Sequence, residues 1–190
     1  MSANRGKYAE DRVKEFLEAW KQKHSGFTYN RILDAHSSKG MMTNPQPGDF
    51  QWFSMMGYTL ALRRRAKPGE SIIADTAAAK SQPLTEAWVN EEVPYTRNGL
   101  IEVKEVEHAF RLPYQNFGAD QVGRMRIRAM AGSEPLVLTC HREKGSRGAV
   151  WRAVPLEVFE KRDGPKFGSW DLSNITGSDK LSTLLEGYLS

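Results

Sequence analysis

Leu100-Ile101-Glu102-Val103-Lys104-Glu105-Val106 is the stretch on which the reading of this chain turns. Leu100, Ile101, Val103 and Val106 give it the aliphatic, β-branched character of a strand, and Thr96-Arg97-Asn98-Gly99 ahead of it carries a turn signal. On a strand, residues two apart share a face. Glu102 and Lys104 therefore project together, while Ile101 and Val103 point the other way. A carboxylate and an amine on a half-buried strand cost free energy unless they are paired, hydrated or bound to something. The arrangement suits metal-assisted attack on a phosphodiester: Glu102 and the Val103 carbonyl hold a divalent cation, and Lys104 steadies water and phosphate. The plainer account is a salt-bridge pair on the surface of an unrelated α/β protein.

Composition narrows the classes. A chain of 190 residues suits one domain, 1–190, with a substantial core. Hydrophobic content of 39% and charged content of 26% are ordinary for a globular protein and exclude a disordered one. A net charge of +4 leans toward a polyanionic partner. The single cysteine, Cys140, excludes an internal disulfide and, in the run Leu136-Val137-Leu138-Thr139-Cys140, reads as a core residue. No apolar run approaches the roughly 18 residues of a membrane span, and the first residues lack a signal-peptide core. The expected setting is cytoplasmic.

Upstream of the central strand, residues 7 to about 23 have helical periodicity. Glu10, Val13, Leu17 and Trp20 fall in a narrow arc with Phe16 at its edge. Glu10 is thus on or beside the buried face, either as a helix-start carboxylate favoured by the macrodipole or as an acid reaching into a site. Phe27 to Ile32 reads as a strand. The polar loop from Asp34 to Gly48 holds Asp34 and His36, which read as turn or surface residues. It closes on Pro47-Gly48-Asp49, which opens the aromatic strand Phe50-Gln51-Trp52-Phe53. Asp49 is placed to be the second carboxylate of a divalent-metal site, or to be a turn aspartate satisfying local amides. Gly57 to Arg97 reads as an insertion with its own short strands or a hairpin. Within it, Arg63-Arg64-Arg65-Ala66-Lys67 either grips phosphates or forms a solvated surface, and Asp75 rivals Asp49 as the second acid; the Pro-Gly setting favours Asp49.

Downstream comes Phe110 to Phe117, then a helix from about Gly118 to Ala131 stopped by Gly132. Gln121, Arg124 and Arg128 line one face of that helix, and Val122, Met125 and Ala129 another. Strands follow at Pro135–Cys140 and Ala149–Val154, then a short helix at Leu156–Phe159. A Gly- and Ser-rich tail from Arg162 ends in a helix with Leu181, Leu184, Leu185 and Tyr188. Phosphate-loop, zinc-spacing and Gly-x-Ser-x-Gly patterns are absent from the sequence.

The order is now a helix with Glu10, a strand with Asp49, a strand with Glu102-Val103-Lys104, a helix with Gln121, and two strands. In that order the chain resembles the PD-(D/E)XK nuclease superfamily, and within it Holliday-junction resolvases of the RecU type. The specific overlap is Glu102-Val103-Lys104-Glu105, then Phe110-Arg111-Leu112-Pro113-Tyr114-Gln115-Asn116-Phe117, then Asp120-Gln121-Val122-Gly123-Arg124-Met125. Asn4-Arg5-Gly6-Lys7 with Glu10 adds to it. The resemblance implies an α/β, restriction-endonuclease-like core, a mixed β-sheet flanked by helices, with residues 57–97 inserted between the two metal-binding strands and 162–190 as a tail. It implies Asp49, Glu102 and the Val103 carbonyl as ligands of Mg²⁺ or Mn²⁺, Lys104 as the catalytic lysine, Glu10 as the first-helix acid and Gln121 as a supporting residue. Branched DNA would be cut by a homodimer, with Arg63, Arg64, Arg65, Arg111, Arg124 and Arg128 on the phosphate backbone. Small phage-borne endonucleases share such a core, and for one of these the setting is the host cytoplasm. The alternatives are a general or repair-type nuclease similar to the VRR-NUC group, and a non-catalytic DNA-binding recombination factor on the same fold.

Overall fold

A computed structural model describes residues 7–32, 48–55, 59–65, 88–94, 96–117, 120–143, 148–159 and 168–190. The elements in chain order are α1 (Lys7–Lys23), β1 (Phe27–Arg31), β2 (Phe50–Ser54), β3 (Thr59–Arg65), β4 (Trp88–Pro94), β5 (Arg97–Val106), β6 (Arg111–Pro113), α2 (Gln121–Met130), β7 (Glu134–His141), β8 (Val150–Val154), β9 (Ser169–Asp171) and α3 (Leu181–Leu189). The chain divides into two compact units, Met1–Met56 with Arg97–Ser190, and Gly57–Thr96.

The larger unit is built on a five-stranded sheet in the order β1-β2-β5-β7-β8. β5 is its central strand. It runs antiparallel to β2, with Phe50 opposite Ile101 and Ser54 opposite Arg97, and parallel to β7 from Gly99↔Glu134 to Val106↔His141. A parallel neighbour cannot be reached by a tight turn, and the chain between β5 and β7 carries α2. β1 and β8 flank the sheet as antiparallel neighbours of β2 and β7.

The alternation expected for Leu100–Val106 sorts the core into two layers. Ile101 and Val103 join Phe50, Trp52, Leu136, Leu138 and Cys140 beneath Ala9, Val13 and Leu17 of α1 and Leu185 and Leu189 of α3. Val106, Val137 and Val154 face the other way, into Met125 of α2 and the cluster of Leu112, Tyr114, Phe117, Phe159, Trp170 and Leu172. Each fully buried side chain of this size contributes about 1.5–3 kcal/mol. The result is a mixed sheet with helices on both faces, as expected at the level of an α/β class.

Three local readings change. Thr96–Gly99 is not a turn: β5 begins at Arg97, and Gly99 is needed for close approach. A Cβ there would lie 2.3 Å from the Glu134 carbonyl oxygen and 2.5 Å from Trp52 Nε1. The tail contains a strand, β9, which pairs with β6 through Leu112↔Trp170; three residues are too few to show a period. α2 is described from Gln121, with Gly118 and Ala119 outside the described residues, and Ala129 is exposed rather than in the core stripe that Met125 and Val122 form. Gly132 does stop the helix, at φ 86°, in the left-handed region that glycine tolerates.

Side chains tie both flanking helices to the sheet. Glu105, on the α1 side of β5, accepts the Ala9 N–H at 3.3 Å and pairs with Arg142 at 3.1 Å. The Tyr188 hydroxyl of α3 donates to the Glu134 carbonyl and accepts from Trp52 Nε1 at 3.3 Å. Arg97 bonds the Tyr188 carbonyl at 3.1 Å and the Glu134 carboxylate at 2.6 Å.

The smaller unit contains the antiparallel hairpin of β3 and β4, running from Thr59↔Pro94 to Arg65↔Trp88. Arg63, Arg64 and Arg65 stand opposite Asn90, Val89 and Trp88 in the register. Asp75 lies outside the described residues.

Two glycines test this packing in opposite directions. Gly99→Ala should cost about 1–3 kcal/mol in urea unfolding, because backbone and an indole must move. Gly123→Ala, on α2 with nothing within 4 Å of the new Cβ, should gain about 0.5–1 kcal/mol. Similar values for the two would contradict the close approach at Gly99.

Candidate active site

The site is assembled where β2 begins beside the middle of β5. Asp49 immediately precedes β2, and two backbone bonds fix it: its N–H donates to the Ile101 carbonyl at 2.9 Å, and its carbonyl accepts the Ile32 N–H at 2.8 Å. Its carboxylate then accepts the Val103 N–H, Oδ2 to N 2.6 Å. A side chain thus takes the ladder position that a backbone carbonyl of β2 would otherwise fill. On an antiparallel strand the N–H and C=O of one residue face the same neighbour, so the Val103 carbonyl is also turned toward the Asp49 side.

Glu102 follows from the alternation of β5. It lies opposite Val137, on the α2 face, and only 2% of its surface is exposed. Among the described residues it is the one buried carboxylate. Lys104, two residues on, forms an ion pair with it through Nζ and Oε1, and the Gln121 side chain hydrogen-bonds the same carboxylate from the start of α2. The Lys104 ammonium also sits 5.0 Å from the centroid of the Phe117 ring, within the range of a cation–π contact. Glu10 approaches from α1, where it pairs with Arg31, the last residue of β1.

Three acids brought this close together disturb one another. Burial, reinforced by the Glu102 charge, pushes the Asp49 carboxyl up to about 7, against the pull of the Val103 N–H, Lys104 and Arg31. Burial also raises Glu102, with Lys104 and Gln121 opposing. Glu10 is raised by burial and then by Asp49, with Arg31 opposing. Asp49, Glu102, Lys104, Gln121 and Glu10 therefore act on one another as a single electrostatic group.

The donors fit a hard divalent cation in a limited way. Among the described residues no group of three or more His, Cys, Asp or Glu side chains forms a ready metal cluster. Two carboxylates with one backbone carbonyl are nonetheless the kind of partial oxygen set that Mg²⁺ accepts, since it keeps several waters and takes further oxygens from phosphate. The upward shift of Asp49, caused in part by Glu102, is the strain that such a cation would relieve.

The basic candidates are dispersed. Arg111 is exposed on β6 and Arg128 is exposed on α2. Arg124 is half-buried, with its Nε lacking a hydrogen-bond partner. Arg63, Arg64 and Arg65 belong to the hairpin unit.

Sequence reasoning missed Arg31 and Phe117 as members of the site. A cation closing the strand before the Asp49 loop was the signal for Arg31. Phe117 had no signal, because its ring reaches Lys104 only through the packing of the α2 layer. No family model, curated protein or solved structure matches the chain.

The pH dependence of stability follows from Asp49. Its folded-state pKa of about 7 lies above the ordinary 3.8, so the folded protein holds the extra proton between those values, and stability falls as pH rises through that window. Asp49→Asn keeps an acceptor for the Val103 N–H and removes the charge. In EDTA at pH 8 the Asp49→Asn protein should melt above wild type, by roughly 2–4 °C for each kcal/mol recovered, with the gap closing toward pH 5. A gap independent of pH in calorimetry would show that the two acids do not oppose each other.

Proposed function

We propose that this protein is a metal-dependent endodeoxyribonuclease that hydrolyses phosphodiesters at the Asp49–Glu102–Lys104 centre, on a restriction-endonuclease-like core. The observation that carries the reading is the meeting of Asp49 and Glu102 across Val103, with Lys104 attached to the buried acid. The element order supports it: antiparallel β1, β2 and β5, then α2, then β7 parallel to β5.

Asp49, Glu102 and the Val103 carbonyl would hold Mg²⁺ or Mn²⁺. A divalent cation there would acidify water and neutralise charge building on the phosphate. The remaining work falls to the protein's own groups. Gln121 fixes the Glu102 carboxylate, so the buried acid keeps one orientation. Phe117 and Glu102 together hold the Lys104 ammonium, leaving its other protons for the attacking water and a phosphate oxygen. Arg31 pairs with Glu10 and so keeps a third negative charge from adding fully to the other two.

The narrower reading is a homodimeric Holliday-junction resolvase, supported by the motifs around Glu102, Phe110–Phe117 and Gln121. A second reading, a DNA-binding factor that does not cut, is favoured by one observation: Lys104–Glu102 and Arg31–Glu10 already neutralise two of the acids within the protein.

The purified protein, incubated with Mg²⁺ and labelled four-way junction, duplex, flap and single strand, should cut at least one of them. Glu102→Gln and Lys104→Met should each lower the rate by about 100–1,000-fold without loss of binding. Paired symmetric nicks confined to the junction would establish the resolvase, and cutting of the other substrates the general nuclease. Binding without cutting in both Mg²⁺ and Mn²⁺ would establish the non-catalytic factor.

A further inference from the structure

The turn that follows β5 is fastened more firmly than an exposed turn requires. Three successive carbonyls are each held by a donor from a different part of the chain. His141 Nδ1–H donates to the His108 carbonyl at 2.5 Å, Arg152 Nη1 to the Ala109 carbonyl at 2.9 Å, and the Leu172 N–H to the Phe110 carbonyl at 2.7 Å. His141 is buried, with the Thr139 hydroxyl on its other nitrogen at 2.9 Å; burial lowers its pKa, with the bond to the His108 carbonyl opposing. Arg152 is tied a second time, to the Ile175 carbonyl at 3.1 Å. Among the described residues none of these groups hydrogen-bonds Asp49, Glu102 or Lys104.

What the anchoring fixes is a set of exposed side chains: His108, Phe110 and Arg111. A cavity of about 240 Å³ opens beside them, lined by His108, Arg111, Pro113, Gln115, Gly168 and Ser169. Among the described residues that lining offers a guanidinium, an imidazole, an amide and a hydroxyl, with the Asp171 carboxylate opposite Arg111 in the β6–β9 register rather than in the lining. The lining is a donor set for phosphate oxygens, with Arg111 as the charged member. Phe110 is 43% exposed, and the Arg111 guanidinium lies 6.0 Å from its ring centroid. An exposed ring beside a cation is the combination on which an unpaired base stacks while its phosphate is held. His108 is four residues beyond Lys104, at most about 13 Å along a strand, which is the axial rise of about four nucleotides.

We propose that this turn is a nucleotide-binding platform, with a phosphate seated in the cavity on Arg111, Gln115 and Ser169 and its unpaired base against Phe110. The platform rests on the nuclease reading for its purpose, and it assigns that enzyme a substrate class: DNA with a nucleotide outside the helical stack within a few positions of the cut.

Binding and cutting are read separately. Fluorescence anisotropy in EDTA compares a labelled oligothymidylate with a blunt duplex, for wild type, Phe110→Ala, Phe110→Trp and Arg111→Ala, each checked for an unchanged melting temperature. Phe110→Ala should weaken the single-strand affinity about fivefold or more and spare the duplex, and Phe110→Trp should restore it. Arg111→Ala should reduce the slope of log affinity against log salt by about one. Single-strand affinity unaltered by both alanine variants overturns the platform, even in a protein that cuts DNA. Binding of inorganic phosphate with no affinity for the oligothymidylate also overturns it. Loss on both substitutions in a protein that cuts nothing leaves the platform standing and removes the nuclease.

Discussion

The hydrogen bond from the Val103 N–H to the Asp49 carboxylate is the constraint on which the site depends. It joins residues 54 positions apart and ends the β2–β5 ladder in a side chain. A backbone carbonyl at that point would satisfy Val103 without consequence. An aspartate satisfies it and brings a negative charge beside the buried Glu102. Counter-groups are gathered around the acids, Lys104 and Gln121 on Glu102 and Arg31 on Glu10, and burial raises all three carboxyls, with Glu102 adding to the shift of Asp49 and Asp49 to that of Glu10. Acids collected where they destabilise one another are the pattern on which the proposed function rests.

The central strand was legible because its period is local. Leu100–Val106 alternates between two buried layers, and that alternation places Glu102 and Lys104 on one face without reference to any other element. The helices followed from the spacing of Val13 and Leu17, Met125, and Leu185 with Tyr188. What was not legible depends on partners distant in sequence. Gly99 resembles a turn residue until Trp52 and the Glu134 carbonyl are seen against it. Arg31 looks like the charged end of a strand until Glu10 is found beside it. Glu105 was within reach: its parity opposes that of Glu102 and puts it on the α1 side, where a helix start needs an acceptor.

The two faces of the sheet have divided the work. The α1 and α3 side is mostly apolar, and apart from Glu10 with Arg31 its polar contacts are fastenings, such as Glu105 on Ala9 and Tyr188 on Glu134. The α2 side carries Glu102, Lys104 and Gln121, and its aromatic cluster contacts a cation as well as packing the core. Phe117 stands edge-on to Trp170, with centroids 5.5 Å apart, and presents a face to Lys104. The hydrophobic layer therefore also sets where a cation stands.

The pairing of Ser54 with Arg97 has a consequence for how such a chain can change. Because β2 and β5 are in register at that point, the chain leaves the sheet and returns to it at neighbouring positions, and whatever spans the gap begins and ends within one interstrand spacing. The entropy of closing a loop grows only logarithmically, about 0.6 kcal/mol for each doubling of length. Residues 57–96 could accordingly be lengthened, shortened or exchanged in descent with little effect on the pairing, and none on the contact between Asp49 and Val103. A change of length there leaves the acids themselves under the restraint of the sheet.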